Sequence, residues 1–135
     1  MTLHDDGGSA DRVRSLIHTR IANATAALVA AFEAASGAED VDERSLRLAD
    51  VSFSAARGHD ELFTTLVRLH EESGEHPELE ELKLACGLFA AAQACATFAT
   101  GAEVIDPGGS AYIEHTGSYQ IGLEWIVRLL AQFGP

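Results

Sequence analysis

Six histidines, His4, His18, His59, His70, His76 and His115, are the residues most suggestive of chemistry in this 135-residue chain. A metal held on a helix needs ligands three or four residues apart, so that neighbouring turns converge on one ion. The histidines do not have that spacing. His59 and His70 share a helical face at eleven residues, but three turns put them roughly 16 Å apart. Glu72, His76 and Glu80 are four apart, yet Gly74 and Pro77 interrupt any helix between them. No metal site and no cofactor is expected.

Two acidic clusters, His59-Asp60-Glu61 and His70-Glu71-Glu72, could supply general acids and bases to a pocket. Read structurally, Asp60 is a helix N-cap, Glu61 suits a first turn and the rest is solvated. A nucleophile needs a base and an orienting group. The serines have no glycine elbow, and Cys86 and Cys95 lie in the driest part of the chain. Nine residues apart on a helix, these cysteines point to opposite sides, on the order of 13 Å apart along the axis. They read as small buried hydrophobes in a reducing compartment. Asp106-Pro107-Gly108-Gly109-Ser110 lacks the lysine and spacing of a phosphate loop and reads as a turn. No catalytic residue is assigned.

What remains is binding. Gln93 has charge-free sequence on both sides. If buried, its amide must find partners, either across a helix pair or in a pocket. A ligand pocket between helices would draw on Gln93, Phe89 and Tyr119, with His70 or His115 at its edge. Trp125 and Tyr112 are candidate interface anchors, and Trp125 is equally well placed for a core.

The elements that would position these groups are helical. Ser9 caps a first helix whose apolar positions, Val13, Ile17, Ile21, Ala24, Leu28, Ala31 and Ala35, alternate four and three, and Gly37 stops it. Asp42 caps a second, with Leu46, Ala49, Phe53 and Ala56 inward, to Gly58. A third runs from His59 or Asp60 to Gly74, with Leu62, Phe63, Leu66 and Leu69 inward. A fourth starts at Pro77, with Glu78, Glu80 and Glu81 at its positive end. A break over Gly101–Gly109 follows, with a small hairpin of Glu103–Ile105 and Ala111–Ile113 as the alternative. The last helix covers about 118–133, with a start at Ser110 as the alternative, and has Tyr119, Leu123, Ile126, Leu130 and Phe133 on one face. The expected fold is an all-α, single-domain bundle of about five helices, over residues 9–135 behind a disordered tail at 1–8.

The fourth helix, about 77–101, is expected to be central. From Leu84 to Ala102 it carries no charge, and it has two apolar stripes. One is Leu82, Cys86, Phe89, Gln93 and Ala96; the other is Leu84, Leu88, Ala91, Cys95 and Phe98. A helix without a polar face must be covered on all sides. The run is long enough for a membrane span, but Gly, Thr and Gln dilute it and no basic loop flanks it. A buried helix is expected instead.

Composition bounds the function. Apolar residues make up 47% of the chain and the net charge is −12, with Lys83 the sole lysine beside eight arginines. That balance argues against a nucleic-acid grip, which needs clustered cations, and against anionic membranes. The N-terminus lacks the basic start and apolar core of a signal peptide, so a cytoplasmic location is expected. The Ala and Arg bias points to a GC-rich bacterial genome. The expectation is a non-catalytic, acidic interaction protein, a homodimer or the partner of another protein. The alternative is a small-molecule binder or enzyme with its pocket near Gln93.

Overall fold

A computed structural model describes the backbone of residues 3–74, 77–105 and 117–132, and the side chains of 11–40, 42–72, 74, 77–99 and 121–132. The described residues form four helices: α1 (Leu3–Ser36), α2 (Val41–Ser73), α3 (Leu79–Ile105) and α4 (Gly117–Ala131). The all-α bundle expected from the periodicity is the fold observed. α2 packs against α1 and along α3, α4 packs on α3, and α4 also returns to α1. α1 and α3 lie diagonally and touch little. Their contact is polar at the start of α3, where Arg14 donates to Glu78 at 2.7 Å and His18 Nε2 pairs with Glu81 at 2.8 Å.

The helix count falls from five to four because α2 does not end at Gly58. A mid-helix glycine costs about 1 kcal/mol relative to alanine. Here the missing side chain makes room for a neighbour: a Cβ on Gly58 would lie 2.7 Å from Cδ1 and Cε1 of Phe89. Gly58 is therefore a packing site for α3, and Asp60, expected as an N-cap, sits in mid-helix. The cap of α2 is Asp40, whose carboxylate accepts from the Glu43 N–H at 3.1 Å, and Asp42 falls in the first turn. Gly74 does end a helix, as expected. Its φ of 70° suits glycine, and its N–H donates to the His70 carbonyl at 2.7 Å.

The core is built from stripes that alternate three and four. On α1, Ile17, Ile21, Ala24, Leu28 and Ala35 are buried, as their spacing predicts. On α2 the inward stripe is Leu48, Val51, Ala55, Leu62 and Leu69. The expected Leu46 and Phe53 are each 69% exposed, and Phe63 is 50% exposed. α2 carries two such stripes two residues out of step. The inner one holds Ala55 and Gly58, the small residues that let α3 approach closely. On α3, Leu82, Ala85, Phe89, Ala92, Ala96 and Ala99 are buried. α4 contributes Leu123 and Leu130, with Ile126 and Val127 partly buried against them.

The ends of the elements shift by a few residues. α1 begins at Leu3 rather than Ser9, α3 at Leu79 rather than Pro77, and α3 continues past Gly101 to Ile105. Strand Glu103–Ile105 of the alternative hairpin is thus helical. The Asp106–Gly109 turn, Tyr112, the second hairpin strand and Phe133 lie outside the described residues.

Candidate functional site

Of the five residues considered for a pocket, the three whose side chains are described, Phe89, Gln93 and His70, do not come together. Phe89 is fully buried in the core beneath Gly58. Gln93 is exposed. The buried stripe passes through Ala92 instead, because the three–four alternation continues there and rotates the Gln93 amide outward. Gln93 shares its face with Thr97, one turn on, and the Thr97 hydroxyl bonds Ser52 of α2 at 2.9 Å. This is a polar rim along the α2–α3 seam. His70 is exposed, twelve residues beyond Gly58 and hence roughly 18 Å along α2 from Phe89. Tyr119 belongs to α4 by backbone, and its side chain, like all of His115, lies outside the described residues.

Three concave features among the described residues are open surface grooves. One of 370 Å³ lies between α1 and α2, bordered by Asn23, Ala27, Phe53 and Arg57. Another, of 360 Å³, lies where α2 ends and α3 begins, bordered by Leu66, Val67, His70 and Lys83. A third, of 260 Å³, is bordered by Arg20, Asp60, Thr64 and Arg68. Gln93 borders none of these three. Among the described residues, no three His, Cys, Asp or Glu side chains are placed to hold a metal ion. His59 stacks on Phe63 at 5.8 Å and pairs with Asp60 at 3.5 Å, both contacts within α2. Burial pushes the thiols of Cys86 and Cys95 above their ordinary range, which disfavours the nucleophilic thiolate.

Exposed apolar side chains lie along α2, at Leu46, Phe53, Phe63 and Val67, and on an uncovered face shared by α3 and α4, which alone includes the tryptophan. Two apolar stripes on α3 predicted two buried sides. The first is buried except at Gln93, but the second is only half covered: Leu88 and Cys95 are partly buried, while Leu84 and Phe98 are 58% and 59% exposed. On α4, Ile121, Trp125 and Leu129 are 59%, 61% and 42% exposed. Arg128 lies 5.8 Å from the Trp125 ring centroid and pairs with Glu124 at 2.7 Å, which holds the guanidinium at the edge of the patch.

The register between the two helices places these side chains on one side of the pair. A Cβ on Gly122 would meet Cys95 Sγ at 3.4 Å, so Gly122 faces Cys95 across the seam. Phe98 and Leu84 stand three and eleven residues from Cys95. Trp125 and Leu129 stand three and seven from Gly122. At helical spacing all four border that same seam. Sequence reasoning found the α3 half of this face as the second stripe. It found Trp125 as a candidate anchor but not its neighbours Ile121 and Leu129. These differ from the inward Leu123, Ile126 and Leu130 only in phase.

By length and composition Leu79–Ala99 also qualifies as a membrane span, at a mean hydropathy of 1.4, although its inner stripe is packed on α2. No protein-family model, no curated protein and no solved structure matches this chain.

Proposed function

We propose that the protein is a non-catalytic, acidic helical module that acts by docking its α3–α4 face onto another protein surface, self-association being the simplest form. The observation that carries this reading is the exposure of Leu84, Phe98, Trp125 and Leu129 along one seam, with Ile121 also exposed on α4. Scattered apolar side chains are normal on a surface, but a grouped set that includes Trp and Phe marks an interaction site. The two free cysteines fit a reducing, cytoplasmic setting. The acidic surface keeps the remainder of the molecule soluble.

Multi-angle light scattering across a wide concentration range tests the reading. A particle mass that is a multiple of the chain's 14.3 kDa is expected. A monomer at every concentration overturns self-association.

A further inference from the structure

The exposed stripe of α3 has a symmetry of its own. Leu84 stands seven residues before Ala91 and Phe98 seven after it, and both are more than half exposed. Between them, Gly87, Ala90, Ala91 and Ala94 are small and exposed. Large ends with a small waist fit a reversed copy of the same stripe. Each residue a given number of steps before Ala91 then faces the residue the same number after it in the other helix. Leu84 meets the second copy's Phe98, while Leu88 and Cys95, which lean toward α4 of their own chain, stand level with its Ala94 and Gly87. Inside the ends, larger side chains oppose small ones, the complementarity that lets helix backbones approach closely. Such a contact is isologous, as two-fold dimers require.

Charge selects the occupant and the direction. The chain carries −12 overall but nothing charged from Leu84 to Ala102, so two identical acidic molecules meet there with least repulsion. A parallel pairing stacks the acidic first turns, Glu80 and Glu81, of both copies together. The antiparallel pairing separates them and opposes the helix dipoles. The five exposed side chains present roughly 600 Å² per copy, on the scale of the ~800 Å² per partner in a standard interface.

We infer that the α3–α4 face takes a second copy of this chain, antiparallel, with the two-fold axis beside Ala91 and Leu84 of each copy packed on Phe98 of the other. The inference rests on the self-association proposed above and adds its partner, register and direction.

Disulfide mapping tests it. In a Cys86→Ala, Cys95→Ala background, Leu84→Cys and Phe98→Cys chains carrying different tags are mixed and mildly oxidised. The mixed 84–98 disulfide is expected to form. Self-pairs are excluded, because equivalent positions stand about 21 Å apart along the axis. Self-pairs at 84–84 and 98–98 would show a parallel dimer, overturning the orientation while self-association stands. A dimer that forms neither crosslink places the interface elsewhere and also overturns the inference. A monomer that forms no crosslink, or that binds neutral phospholipid vesicles instead, overturns the inference together with the reading beneath it. A fold-preserving check uses Gly87→Trp, since nothing lies within 4 Å of a Cβ there. That chain is expected to keep its helicity and lose the dimer.

Discussion

Phe89 lies across the backbone of Gly58, close enough that a Cβ at position 58 would fall 2.7 Å from two atoms of its ring. This contact locks α3 onto the middle of α2. It explains why a 33-residue helix runs uninterrupted through a glycine.

Gly58 and Gly87 are both mid-helix, and alanine at either gains up to about 1 kcal/mol of helix propensity. At Gly87 there is open space within the chain, so in a monomeric Phe98→Glu background Gly87→Ala is expected to raise stability by up to that amount. At Gly58 the new methyl strikes the buried Phe89 ring, and overpacking of about 1–3 kcal/mol outweighs the gain. Urea denaturation of the pair checks this. Equal stabilisation by both substitutions would deny the Phe89 contact.

Thr25 is buried in α1, at 8% exposure, and its hydroxyl oxygen has no hydrogen-bond partner. An unpaired buried hydroxyl costs about 1–3 kcal/mol, and valine keeps its shape. Thr25→Val is therefore expected to raise the thermal midpoint, as scanning calorimetry would measure. A lowered midpoint would mean that the hydroxyl is paired.

Burial raises both cysteine thiols above their ordinary 9.0. Below that pH they are protonated in both folded and unfolded chains, so the stability linked to them is fully present. Above it the unfolded thiols ionise first, the unfolded state binds fewer protons, and stability falls as pH rises through the folded values. Chemical denaturation from pH 8 to pH 10.5 should show a decline that is smaller in a Cys86→Ala, Cys95→Ala chain. In the native protein, alkylation at neutral pH should be slower at both sites than for an unfolded control.

The sequence alone made parts of this fold legible and hid others for identifiable reasons. On α1 the larger side chains recur at three–four spacing among alanines and small polar residues, and Ile17, Ile21, Ala24 and Leu28 are buried as that spacing requires. On α2 the stripe through Leu46 and Phe53 has the larger side chains, yet the stripe through Ala55 and Gly58 is inside. Side-chain size pointed outward because the α2–α3 seam selects for smallness, and reading Gly58 as a stop concealed that seam. On α3 both stripes are apolar, so periodicity located them without deciding which one neighbours cover. Gln93 turned outward by a one-residue change of phase to Ala92. The α3–α4 face required the Gly122–Cys95 register, which no local pattern encodes.

Sedimentation equilibrium of the wild-type chain beside Phe98→Glu tests the self-associating face most directly. Phe98 is 59% exposed, so glutamate there is tolerated by the monomer but places an unpaired charge in a buried contact. The wild type is expected at twice 14.3 kDa and the variant at 14.3 kDa, with unchanged helicity. A variant that keeps the dimeric mass, or a wild type that sediments as a monomer, would contradict the assignment of the α3–α4 face as the site of self-association.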